Sequence, residues 1–130
     1  MTKQEWQRVQ KALMDINNKV VLKIDGYEVT VVLVRVSTMK NAIAIYVNGH
    51  FKGKWLIEDC DERRRFVQKR TKSLYTSKEL IKIGIHKKEH KNYLKQKYQY
   101  YKTHWESFGG LRGHLIRNNE SIELVEIAWE

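Results

Sequence analysis

The chain has 130 residues, with 25 Lys and Arg against 15 Asp and Glu, one Cys, seven Gly and no Pro, for a formal charge of +10. This length predicts one domain, residues 1–130, burying roughly two-thirds of its unfolded surface, and 42% hydrophobic with 11% aromatic residues is too apolar for disorder. A lone Cys60 excludes an internal disulfide, no Cys/His set has four-ligand zinc spacing, and neither a signal-peptide core nor an apolar run near the ~20 residues of a bilayer span is present, so a reducing, cytoplasmic setting without membrane contact is expected.

Thr2 and Glu5 have capping-box spacing, and Trp6, Val9, Leu13 and Ile16 recur at helical intervals, predicting an amphipathic helix over residues 3–16. The β-branched run from Val20 to Ile24 meets Asp25-Gly26 and then a second run from Tyr27 to Val36, a strong hairpin signal. A third strand is expected from Ala42 to Val47. Asn48-Gly49 predicts a turn into a fourth, Phe51 to Leu56, with Phe51 and Trp55 on one face and His50, Lys52 and Lys54 on the other.

Asp59 with Glu62 again has capping-box spacing and opens a predicted basic helix running to Lys72, carrying Arg63, Arg64, Arg65, Lys69 and Arg70. Thr76 with Glu79 is a third such pair. Leu80 to Ile85 reads equally as a helical turn or a short strand. From His86 the pattern is helical, with Leu94, Tyr98, Tyr101, Trp105 and Phe108 spaced as one stripe. Ser107 can cap a further short helix with Leu111, His114 and Leu115 inward and Asn118-Asn119 as its stop. Ser121 to Trp129 reads as a final strand pairing at an edge of the meander. The predicted class is α+β: an N-terminal helix, a four-stranded antiparallel meander, two to four helices and a C-terminal strand.

Three segments, Asn48-Gly49-His50-Phe51-Lys52-Gly53-Lys54-Trp55, Asp61-Glu62-Arg63-Arg64-Arg65-Phe66, and Ser107-Phe108 with Leu111 and His114 to Asn119, together resemble small accessory proteins encoded by phages and prophages of Gram-positive bacteria. The resemblance implies a protein of a bacterial host's cytoplasm that binds nucleic acid, regulates transcription or disables host defence. It carries over no catalytic motif.

Charge narrows the partner class. Residues 57–105 hold fourteen basic and six acidic residues, whereas residues 106–130 hold two and five, the acids being Glu106, Glu120, Glu123, Glu126 and Glu130. DNA or RNA is the expected partner, since phosphate is bound in two-pronged fashion by guanidinium forks. Three groups of candidates follow: the arginine helix above; the segment Lys87, Lys88, Lys91, Lys95, Lys97 and Lys102 with Tyr93, Tyr98, Tyr100 and Tyr101, where cations track a backbone and rings stack on bases; and the strand-borne His50, Lys52 and Lys54. On the helical stripe Tyr98 and Tyr101 read as core, leaving Tyr93 and Tyr100 for stacking.

The alternative partner is a host nucleic-acid-handling protein complex, inhibited in the manner of an anti-CRISPR protein, because five Glu in the last 25 residues are not needed by a pure DNA binder. Enzyme signals are sparse. His86-Lys87-Lys88-Glu89-His90 matches an H-x-x-E-H zinc pattern but sits among lysines that repel a divalent cation. The carboxylates Glu58, Asp59, Asp61 and Glu62, which a metal-dependent nuclease would need convergent, fall at a helix start that favours acids anyway. No cofactor and no metal is expected, and the protein is read as a non-enzyme.

Overall fold

Thr2 caps the first helix, α1 (Lys3–Ala12), in a complete capping box: its side chain accepts the Glu5 N–H while the Glu5 carboxylate accepts the Thr2 N–H. The helix ends four residues before the predicted stop. Buried Asn18 donates its amide to the Ala12 carbonyl at 2.9 Å, so the chain turns there and leaves Ile16 exposed. This computed structural model describes residues 1–129; Glu130, the last of the tail acids, lies outside the described residues.

Strand β1 (Asn18–Ile24) and strand β2 (Tyr27–Ser37) pair antiparallel across a two-residue turn in which Asp25 and Gly26 both have positive φ, 46° and 89°. That is the turn whose twist suits a hairpin. Strand β3 (Lys40–Val47) pairs with β2 in turn. The sheet-facing residues Val20, Leu22, Ile24, Val29, Val31, Ile43, Ile45 and Val47 form the core face and are all buried.

The predicted fourth strand is absent. His50 makes only a single bridge with Val47, and residues Gly53–Leu56 form a 3-10 helix that buries Trp55 edge-on to Phe51 at 5.2 Å. Gly53 is a poor strand residue, and the contact four positions apart closes a turn rather than extending a strand. After α2 (Asp61–Phe66), the places beside the hairpins go to the dipeptide strand later in the chain, His104–Trp105, which pairs with β3, and to the last strand, Ile122–Trp129, which pairs with β1 at the sheet's edge.

Between them lies a helix over Phe108–Asn118, capped as expected by Ser107, whose hydroxyl accepts the Gly110 N–H at 2.9 Å. Leu111 and Leu115 are its buried face. Trp105 donates its indole N–H to the Phe66 carbonyl, locking α2 to the sheet at 3.0 Å. The last strand contains an irregularity. Val21 opposes Glu126 but Leu22 opposes Leu124, so Val125 is an extra, exposed residue. A bulge shifts the period of two by one residue, and Ile122, Leu124 and Ile127 thereby all reach the core-face partners Ile24, Leu22 and Val20. Glu123 and Glu126, whose three-residue spacing predicts opposite faces, are brought onto one face opposite Lys23 and Val21.

The chain divides into two compact units, Met1–Gln68 with Lys102 onward, and Lys69–Tyr101, although composition marks no linker. In the second, the expected long basic helix is replaced. Helix α2 stops at Phe66, Val67 is extended, and strand β4 (Gln68–Ser73) carries Lys69 and Arg70. Two short helices follow, α3 (Ser77–Lys82) and α4 (Lys87–Leu94), then strand β5 (Lys97–Lys102), which pairs with β4. Leu74 donates its N–H to the Gln96 carbonyl at 2.9 Å where the two strands meet the helices. The helical stripe predicted from Leu94 to Phe108 is therefore strand over Lys97–Lys102. The run Tyr-Gln-Tyr-Tyr has the aromatic content that favours a pleated surface, which outweighs a coincidental helical spacing. In chain order the sheet strands His104–Trp105 and Ile122–Trp129 are β6 and β7, and the helix between them is α5.

Candidate nucleic-acid interface

Two of the three arginines of α2, Arg64 and Arg65, are engaged inside their own unit, and the third, Arg63, is half-buried. Arg65 donates Nη1 to Asp25 Oδ2 at 2.6 Å and to Asn119 Oδ1 at 3.0 Å, and Nε to Asp61 Oδ2 at 2.8 Å. Its side chain is only 26% exposed and that of Asp25 17%. Asp25 also accepts the backbone N–H groups of Glu120 (2.9 Å) and Ser121 (2.8 Å), so one carboxylate at the β1–β2 turn ties that turn to α2 and to the entry of β7. These backbone donors, followed by the Arg65 guanidinium, hold the Asp25 carboxyl below its ordinary value.

Arg64 grips Asp59 through two bonds, at 3.0 and 2.9 Å, both side chains being well exposed. Asp59 is thereby taken from the capping role that its spacing with Glu62 predicts, and Cys60, half-buried, stands at the N-cap without a side-chain bond. Asp61 accepts from the Tyr27 hydroxyl at 2.7 Å, which pushes that phenol up to about 12. Of the four acids that a metal-dependent nuclease would need convergent, Asp59 and Asp61 therefore serve as partners of arginines and a tyrosine. Among the described residues no group of three His, Cys, Asp or Glu is placed to hold a metal ion.

Here His114 adds a pH response. Its Nε2–H donates to the Arg64 carbonyl at 2.9 Å and its ring lies 5.1 Å from that of Trp105; burial lowers its pKa below 6.5. The unfolded chain then binds that proton more readily than the folded one, so stability is full above pH 6.5 and drains as pH falls through the lower folded value. Asp25 and Asp61, also held low, add a second loss only below their free value of 3.8. Urea midpoints between pH 7 and pH 3 are expected to show these two acid steps, and His114→Gln, which keeps a donor without titrating, is expected to abolish the first alone.

His50, Lys52 and Lys54 are exposed but share no strand face, because the strand that would align them does not form. The second unit assembles the remaining candidates. On α4, successive residues turn by about 100°, which places Lys87, Lys91, Lys95, Lys88 and Asn92 on one continuous arc and His90, Tyr93 and Leu94 on the other; Glu89 falls outside the lysine arc. Burial follows this division: all five members of the arc are exposed, whereas His90 is buried and Tyr93 and Leu94 are half-buried. Among the described residues, none of these lysines forms an ion pair.

On β5, Tyr98 and Tyr100 share a face with ring centroids 5.9 Å apart, and Tyr98 is 42% exposed. Tyr98, expected in a helical core, is thus the more accessible of the two. Tyr93 packs edge-on against Tyr75 at 5.6 Å. Lys69 and Lys97 are exposed on the paired strands, Arg70 is half-buried on β4, and Lys102 belongs to the other unit, paired with Glu106.

The zinc-like spelling has a structural explanation. His86 is the N-cap of α4, its Nδ1 accepting the Lys88 N–H at 3.3 Å, and His90 bonds the Ile85 carbonyl through Nε2 at 2.9 Å. Both rings hold the turn between the two helices. Asn92 and that turn were missed at the level of sequence. The signal present was the Thr76-Glu79 cap, realised by the Thr76 hydroxyl accepting the Glu79 N–H, followed by Gly84. No described helix is long and apolar enough to cross a membrane. Comparison with protein-family models, curated proteins and solved structures finds no match for this chain.

Proposed function

We propose that this protein is a non-enzymatic accessory protein of phage type, working without a cofactor in the cytoplasm of a bacterial host, that binds nucleic acid through its Lys69–Tyr101 unit. One observation carries the reading. That unit holds ten Lys and Arg and two Glu, a charge of +8, whereas the rest of the chain holds fifteen basic and thirteen acidic residues and is nearly balanced. In α2, Arg65, taken up by Asp25 and Asp61, serves the fold instead, and Arg64 is paired with Asp59.

Binding of this kind releases counterions, and log affinity falls linearly with log salt by about 0.9 per phosphate neutralised. Fluorescence anisotropy with labelled DNA and RNA, duplex and single-stranded, from 50 to 300 mM salt is expected to show steep salt-dependent binding to at least one of the probes. Absence of binding to every probe at 50 mM salt overturns the proposal.

A second reading, an inhibitor docking on a host nucleic-acid enzyme such as a CRISPR effector or its guide-RNA complex, is favoured by the near balance of charge outside the basic unit and by the single-faced Glu123 and Glu126. Retention of such a complex after nuclease treatment supports it; loss of every partner on that treatment counts against it.

A further inference from the structure

The arrangement in the second unit says more than that it is basic. Helices α3 and α4 are joined by four residues, Ile83 to His86, with Gly84 at φ +85°. The Ile83 N–H returns to the Glu79 carbonyl and the Ile85 N–H to the Leu80 carbonyl at 2.9 Å, so the first helix is closed at its end and the chain is redirected within one turn. The left-handed conformation at Gly84 is one that L side chains rarely adopt. Leu80, wholly buried, anchors α3, and His90 clips α4 onto the turn through the Ile85 carbonyl. Two short helices, a four-residue glycine turn and a buried contact across it are the parts of a helix-turn-helix, whose second helix enters the major groove.

We infer that α3, the Gly84 turn and α4 form a helix-turn-helix and that α4 reads duplex DNA in its major groove, Lys88 and Asn92 meeting base edges while Lys87, Lys91 and Lys95 meet phosphates. This rests on the nucleic-acid reading above and specifies the form of the polymer and the element that reads it. The exposed arc of α4 presents what that groove requires. Lysine donates to the acceptors of guanine, and an asparagine amide matches the donor and acceptor of adenine at once. Thr76 caps α3 and Ser77, Lys78 and Lys82 lie on or beside it, exposed, where the first helix of such a pair crosses the backbone. The face of Tyr98 and Tyr100 would suit unstacked bases, but it offers two rings against an arc of five exposed polar side chains, so a duplex is the better fit.

The test uses the full chain. Randomised 20-bp duplexes are selected for binding, and the selected duplex, a scrambled duplex and each separated strand are compared by anisotropy at 150 mM salt. The expected results are a duplex preferred over its own strands at least tenfold, and an Asn92→Ala variant that binds the scrambled duplex as the parent does while losing roughly 5- to 150-fold on the selected one. Circular dichroism of the variant checks that the exposed substitution leaves the fold intact. Tighter binding to single strands, or an Asn92→Ala variant with unchanged preference alongside an equally inert Lys88→Ala, overturns the helix-turn-helix inference while leaving the nucleic-acid reading standing. Failure of all probes overturns both.

Discussion

Replacing Lys87, Lys88, Lys91 and Lys95 together by glutamine is expected to lower affinity for nucleic acid roughly 10³-fold at 0.1 M salt and to flatten the salt slope by about 2.7, taking one phosphate for each of Lys87, Lys91 and Lys95 and about 0.9 per phosphate, with the base contact of Lys88 lost as well. The arithmetic follows from where these side chains stand: all four are exposed on one arc of α4. Glutamine keeps the length and helix propensity of lysine, so circular dichroism and the urea midpoint are expected to stay unchanged. Anisotropy titrations at four salt concentrations measure both quantities. A slope that does not move with the charge removed would show that phosphate is met elsewhere on the chain.

The same experiment on the arginines of α2 is expected to divide them. Arg65→Ala removes the guanidinium that joins Asp25, Asp61 and Asn119, and leaves Asp25 with backbone donors only. Losing charge-assisted bonds from a partly buried site costs about 1–3 kcal/mol, read as a lower urea midpoint, with little change in nucleic-acid affinity of the protein that remains folded. Arg64→Ala breaks an exposed pair with Asp59, and exposed pairs contribute little, so its midpoint is expected to match the parent. If Arg65→Ala instead spared the fold and abolished binding, the reading of α2 as structural would be wrong.

Much of the fold was legible in the residues because local signals there agree with the long-range outcome. Asp25-Gly26, Thr2 with Glu5, Thr76 and Ser107 each determine a turn or a cap within four positions, and each takes its predicted role. What was not legible depends on one local contact displacing another, or on partners far away in sequence. Asp59 pairs with Arg64 where Glu62 spacing predicted a cap, Trp55 folds onto Phe51 where alternation predicted a strand, and the β6 and β7 strands take sheet positions that only the completed core can assign. The candidate site was half legible for the same reason. Counting charge located the lysines, but the helical spacing of Leu94, Tyr98 and Tyr101 hid a strand, and with it the boundary of the second unit. Arginine content drew attention to α2, although a guanidinium four residues from a carboxylate is often spoken for.

The extra residue at Val125 bears on how the molecule behaves at high concentration. β7 is the outer strand on the β1 side of the sheet, and a long regular outer strand is a template onto which a neighbouring chain can add, the first step toward fibres. A bulge bends the strand locally and interrupts its even row of donors and acceptors, while Glu123 and Glu126 place like charges where two copies would meet edge to edge. Glu123 and Glu126 therefore need no basic partner to justify them. Together with the bulge they give the sheet a border that resists extension by a second copy of the chain.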